Sequence, residues 1–458
     1  MHSFIKINLN EMNKKILLIA LLFSFNNILS AQKANDNNIF NAQNRPKNLS
    51  DTALLELVQK QTFRYFWDIA HPISGLSRER SNNTFGYGDE VVTSGGTGFG
   101  VMSIIVAANR KWITRDTAAK FLLKMVKFLG KADAYHGVFP HWFNGATGKT
   151  IPFSRKDDGA DLVETSYLMQ GLLCVRQYFN NNNNIEEELR NRINGLWNDV
   201  EWNWFTKGGE DVLYWHWSPN NGWAMNFPVR GFNECLIMYV LAASGENYPV
   251  PVSVYHKGWV QSNFFKNGKT FYGHVLPLGF DYGGPLFFSQ YSFLGLNPTN
   301  LKDNYADYWQ QNKNHTLINY DYCVANPKKF KGYGADCWGL TAGDTYNGYD
   351  AYSPENDGGT IAPTAALSAF PYTPEYSMKA LKHFYYELGD KIWSEYGFVD
   401  GFNETKNWYA KSHLAIDQGP IIVMIENYRT GLLWKLFMSC NEVKLGLKRL
   451  DFIVGSGE

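Results

Sequence analysis

The sequence predicts an all-α protein built as an (α/α)6 barrel, a toroid of six helical hairpins. Three observations carry this. Strand-like alternation is rare, while 3.6-residue periodicity recurs and marks twelve helices. They fall near 52–70, 98–110, 115–130, 161–180, 185–199, 232–244, 252–265, 285–296, 302–325, 361–370, 374–391 and 418–439. The connections between them alternate in length. They are short at 111–114, 181–184 and 371–373, and long at about 71–97, 131–160, 200–231, 266–284, 326–360 and 392–417. Finally, even-numbered helices such as ETSYLMQGLLCVRQYF and PIIVMIENYRTGLLWKLFM are apolar over most of their circumference, as inner-ring helices should be. Unstructured loops longer than about 12–15 residues are usually functional. Six of them at alternate junctions would gather on one rim, at the N-termini of the inner helices. A solenoid would carry a repeated motif, and none is visible.

Taken from the N-terminus, residues 12–31 read as an export signal: Lys14 and Lys15, an apolar run from Ile16 to Phe25, then Ser30-Ala31. Met12 is an alternative start. The run is too short to span a bilayer, and no other apolar stretch approaches about 20 residues. The expectation is therefore a signal peptide over 1–31, a polar linker over 32–50 and one barrel domain over 51–458, periplasmic or secreted and monomeric. Several helices carry boundary signals: Thr114 before Asp116, Gly245 after Ser244, and Thr373-Pro374.

Charge excludes one class of partner. The 458 residues hold 43 basic and 43 acidic side chains, with no basic stripe, so nucleic acid is not expected. Aromatics reach 16% against 19% charged residues, a balance that suits a core, an interface or a carbohydrate cleft. The five cysteines, Cys174, Cys235, Cys323, Cys337 and Cys440, show no CxxC spacing and leave one disulfide open. With no Cys/His zinc spacing, HExxH or P-loop, neither a metal nor a cofactor is expected.

Acidic residues cluster where inner helices begin. Asp157, Asp158, Asp161 and Glu164 lie within SRKDDGADLVET, and Asp161 and Glu164 at i, i+3 would face the barrel mouth. Capping explains one such acid, but four in eight residues repel one another. Glu234 is the sole acid between Ala224 and Gly245, downstream of Trp202, Trp204, Trp215, Trp217 and Trp223. A carboxyl among rings loses solvation and stays protonated near neutrality, as a general acid requires. Asp417 opens the last inner helix, where an N-cap role is equally natural. A pair of such carboxyls is what glycoside hydrolysis uses.

Around these acids, His141 and Trp142 (GVFPHWFNG), Trp215, Trp217 and Arg230 are candidates for holding sugar. Asp336 and Asp344 belong to the longest loop. SGGTGFG at 94–100 lacks GKS/GKT and follows no predicted strand, so it reads as close backbone packing rather than a phosphate loop.

TFRYFWD, SGGTGFG, HGVFPHWF, DDGADLVETSYLMQGLL, PVRGFNE, ADCWGLTAGD, YNGYDAYSP, DGGTIAP and AIDQGPIIVMIENYRTGLLW together resemble the glucoamylase-like family. Within it they resemble glycoside hydrolase family 144, across roughly residues 50–440. The resemblance implies an exported, inverting hydrolase of β-1,2-glucan on an (α/α)6 barrel, endo- or exo-acting. Carried onto matching positions, it points to Asp157, Asp161, Glu164, Glu234 and Asp417, with Glu234 as general acid and Asp161 or Asp417 as base. A polysaccharide lyase on the same toroid, or a non-catalytic glycan-binding protein, is the competing expectation.

Overall fold

Inner and outer helices alternate along the chain and close into a ring. The computed structural model describes residues 42–82, 86 and 88–455. The expected signal peptide at 1–31 and residues 32–41 of the linker lie outside the described residues. Helix α1 (Asp51–Asp68) is outer, α2 (Ser94–Asn109) inner, α3 (Arg115–Leu129) outer, α4 (Leu162–Tyr178) inner and α5 (Asn184–Asn198) outer. Next come inner α6 (Leu236–Ser244), outer π-turns at Val254–Trp259, and an inner segment of two 3-10 turns, Leu286–Ser289 and Tyr291–Leu294. Outer α7 (Tyr308–Ala325), inner α8 (Pro363–Leu367), outer α9 (Pro374–Lys382) and inner α10 (Ala415–Thr430) complete the toroid, which closes where α10 packs on α2. Two further helices, α11 (Leu432–Ser439) and α12 (Asn441–Arg449), pack against α4 and α6. Among the described residues, no helix is long and apolar enough to cross a membrane.

All twelve helical segments read from the sequence have counterparts, with instructive differences. The last is two helices, because Gly431 turns the chain at φ 69°. Residues 285–296 form no continuous helix: Gln290 sits at φ −120°, ψ −53°, and its Nε2 donates to Ala365 O at 2.9 Å, tying the fourth inner segment to α8. The rim loops are not structureless. Strands β1 (Val91–Thr93), β2 (Trp142–Asn144) and β3 (Thr150–Ile151) form one antiparallel sheet. Strand β4 (Ala160–Asp161) pairs with β5 (His216–Trp217), setting Asp161 opposite His216. Strands β6 (Ala342–Thr345) and β7 (Gly348–Ala351) form a hairpin. All are four residues or shorter, below what alternation can signal.

The glycine-rich run proves to be the first turns of α2, and its packing explains it. A Cβ on Gly98 would lie 2.2 Å from Tyr167 O, and one on Gly171 would lie 2.2 Å from Gly98 O. Helices α2 and α4 therefore cross backbone to backbone, which only glycine permits. Every residue of α2 from Ser94 to Ala108 is buried. The five cysteines are also buried and unpaired, so the disulfide left open by the sequence does not form in this structure.

Gly98→Ala should wedge this crossing apart. Overpacking costs roughly 1–3 kcal/mol, read as a melting temperature several degrees lower. An unchanged melting temperature would show that the crossing has slack.

Candidate active site

Thr93, Glu164, Glu234 and Ile416, at or just before the N-terminal ends of α2, α4, α6 and α10, line a cavity of about 240 Å³. Trp142, Phe153, Trp215, Phe287 and Tyr349 supply apolar walls, and Glu79, Arg80 and His141 complete its polar face. Helix N-termini gather carboxylates here because unpaired backbone N–H groups and the helix dipole favour negative charge. Burial opposes that charge.

In Glu234 burial wins. It is 8% exposed, in the turn before α6, and its Oε2 has no hydrogen-bond partner. Desolvation, with smaller contributions from the charges of Glu164 and Asp161, lifts its pKa to about 7. Its main chain is fixed from two sides: Ser292 and Tyr167 (at 3.5 Å) both donate their hydroxyls to its carbonyl.

Asp161 behaves in the opposite sense. It is fully buried, caps α4 by accepting from Glu164 N at 2.9 Å, and accepts from His141 Nδ1 at 3.0 Å. Burial pushes its pKa up, but the His141 hydrogen bond and charge, His216 and the Glu164 N–H hold it below the usual carboxylate range. His141 reciprocates. Burial pulls it down, yet Glu164, the Asp161 hydrogen bond and Asp157 carry it to about 9, so it is an imidazolium at neutral pH. Glu164 accepts from Gly95 N at 2.8 Å and from the Thr93 hydroxyl at 3.3 Å, with its pKa raised by burial. Asp157, 3.4 Å from His216 Nε2, is raised to about 7 by burial and by Asp161.

A second acidic group stands behind the wall formed by Tyr291 and Tyr349. Asp417 accepts from the Tyr291 hydroxyl at 3.3 Å and is raised to about 7, chiefly by burial. Asp417 Oδ2 and Asp400 Oδ1 are buried with no hydrogen-bond partner, and, beyond burial, the charge of Asp417 raises Asp400. Asp400 accepts from Asp344 N at 2.6 Å, and burial with the charges of Asp417 and Asp344 pushes it well up. Arg80 offsets part of this charge, bridging Glu79 at 2.7 Å and Asp344 at 2.9 Å.

The expected positions fall in different places. Glu164, Glu234, His141, Trp142 and Trp215 line the cavity. Asp157, Asp161 and Asp417 do not: their carboxylates are buried behind it, Asp161 held by its own cap and by His141. Asp417 does not open its helix either, because α10 starts two residues earlier at Ala415 with Leu414 as cap. Arg230 is exposed, outside the cavity lining, and donates to Gly258 O at 3.3 Å. Trp217 packs edge-on against His136 and Trp204, outside the cavity lining. Glu79, Arg80, Tyr291, Tyr349, Asp400 and His216 escaped the sequence reading. Only His216, flanked by Trp215 and Trp217, carried a local signal.

An all-α toroid that brings buried carboxyls, several with raised pKa, to an aromatic cavity defines the scaffold and site class of a glycoside hydrolase. Comparison with known proteins agrees. A profile of the family described as "Putative glucoamylase" matches residues 226–441. The crystal structure of a protein described as a putative glucoamylase from Bacteroides uniformis is 60% identical, with TM-score 0.87, covering 89% of this chain and 99% of its own. An endo-β-1,2-glucanase from Chitinophaga pinensis, in complex with sophorotriose and glucose, is 55% identical with TM-score 0.87, again covering 89% and 99%. The exo β-1,2-glucooligosaccharide sophorohydrolase of Parabacteroides distasonis is 44% identical over 442 residues, 92% of this chain. This chain spans 60% of that relative's length. The chain belongs to the glucoamylase-like family that contains these β-1,2-glucan hydrolases.

The His141–Asp161 pair makes stability depend on pH. The folded pKa of His141, about 9, lies above the unfolded value of 6.5. The stabilisation is therefore fully present below pH 6.5 and lost as pH rises through about 9. The melting temperature should fall across that window in the wild type and fall less in His141→Gln. Parallel curves for the two proteins would contradict the pairing.

Proposed function

We propose that this chain is an exported hydrolase of β-1,2-linked glucan acting by an inverting acid–base mechanism. One observation carries the chemistry: Glu234, in the cavity wall, has an unpartnered buried oxygen and a pKa lifted to about 7. It holds a proton near neutrality and donates it to the glycosidic oxygen as the bond to the anomeric carbon breaks. Water attacks that carbon from the opposite face and must lose a proton. His141, already protonated, cannot take it, which disfavours a route to Asp161. Tyr291 can relay it, accepting from the water while passing its own hydroxyl proton to Asp417. Asp417 is therefore the favoured base.

Two relatives, from Chitinophaga pinensis and Parabacteroides distasonis, are named for action on β-1,2-glucan or its oligosaccharides, which supports this linkage. A lyase acting on uronates needs a cation to bind the substrate carboxylate. The two cationic side chains of the lining, Arg80 and His141, are instead matched by Glu79, Asp344 and Asp161. The basic and apolar segments at 12–31 support export.

Linear β-1,2-glucan incubated with the protein should yield shorter oligosaccharides whose new reducing ends carry the α-configuration. Glu234→Gln should lower kcat by about 10²–10⁴-fold. Tyr291→Phe should lower kcat by a similar order while leaving KM nearly unchanged. Near-wild-type turnover by Glu234→Gln, or β-configured product, would overturn this mechanism.

A further inference from the structure

Away from the cavity, three rim segments bring unlike side chains to one point. Cys337 is fully buried in the turn preceding β6, closed by Gly334 N to Cys337 O at 3.0 Å. His383 is the first residue of a π-turn, His383–Glu387, that continues α9. Glu404 lies in the turn of the hairpin joining Phe402–Asn403 to Trp408–Tyr409, its carboxylate against Gly332. The Sγ of Cys337, one ring nitrogen of His383 and one carboxylate oxygen of Glu404 all fall within 4.8 Å of one another. His383 Nε2 is cut off from solvent and has no hydrogen-bond partner, whereas Nδ1 faces Asp336 Oδ2 at 3.5 Å.

We propose that Cys337, His383 and Glu404 bind a borderline-soft dication, Zn²⁺, with Asp336 orienting the histidine. The ligand set argues for this ion. Thiolate, imidazole and carboxylate together suit zinc, whereas Mg²⁺ and Ca²⁺ take oxygen ligands. Cys337 releases its proton to solvent on binding, so one thiolate and one carboxylate neutralise the dication. A ligating imidazole ordinarily donates its other N–H to a carboxylate, the part Asp336 is placed to play. An isolated π-turn is often found where a helix is bent for function. The ligands are widely spaced in sequence, so no short motif reveals them.

The ion would pin the wall of the second acidic group. Asp344 follows Cys337 by seven residues, Asp400 precedes Glu404 by four, and Lys331 N already donates to Thr405 Oγ1 at 2.8 Å between the same two loops.

Cobalt tests the site because a thiolate ligand gives Co²⁺ a charge-transfer band in the near ultraviolet. The mature protein titrated with Co²⁺ should show that band, saturating at one equivalent and displaced by Zn²⁺. Cys337→Ser and His383→Gln should each abolish it. Asp336→Asn should keep the band but weaken binding about 10–100-fold. The partly exposed His383 gives a variant that keeps the test decisive if Cys337→Ser does not fold. The carboxylate-rich group at His141, Asp157 and Asp161 holds no thiol and cannot mimic the band. Absence of the band in the wild type, or its persistence in His383→Gln, would overturn the proposal.

Discussion

Carboxyl burial without full compensation is the constraint on which this architecture turns. The inner ring converges helix N-termini, whose unpaired N–H groups and dipoles attract acids, while its packing removes the water those acids would use. The acids then divide by what else they touch. Asp161 has a cation and a backbone N–H and stays ionised; Glu234 has an oxygen with no partner and stays protonated near neutrality. One carboxyl in the cavity wall and one buried behind it are thereby shifted in opposite directions, by environment alone.

The rest of the fold serves that separation. Gly98 and Gly171 let α2 and α4 meet at their backbones. Gly95 then lies close enough to donate to Glu164, and any side chain at Gly95 would occupy the space of that carboxylate. The rim sheets do comparable work at longer range: β4 pairs Asp161 with His216, and the β6–β7 hairpin presents Asp344 and Tyr349. Arg80, from the 71–97 loop, joins this group to Glu79 and limits the repulsion among Asp344, Asp400 and Asp417. Truncating one partner would leave a buried charge unmatched, which is costly even where the intact pair contributes little.

The toroid was legible because long periodic helices and alternating loop lengths are properties of the chain itself. The acids at 157–164 were legible because four of them crowd into eight residues, and Glu234 because it interrupts an apolar stretch. What stayed hidden depends on contacts across distant segments. Asp417 reads as a cap in isolation and becomes a proton acceptor only beside Asp400 and Tyr291. Arg230 stands four residues from Glu234, yet it is exposed and bonds Gly258 O instead of lining the cavity. Glu79 and Arg80 sit in an ordinary polar loop, and their meaning arises from Asp344, 264 positions beyond Arg80. Cys337, His383 and Glu404 are the extreme case, since nothing in their local sequence separates them from core and surface residues.

The proton carried by Glu234 is central to this chemistry, and the pH dependence of kcat/KM on β-1,2-glucan reads it. With the acid near 7 and Asp417 also near 7, the profile should be a narrow bell centred close to neutrality, its alkaline limb falling as Glu234 ionises. A profile that stays flat from pH 5 to pH 9 would contradict the account.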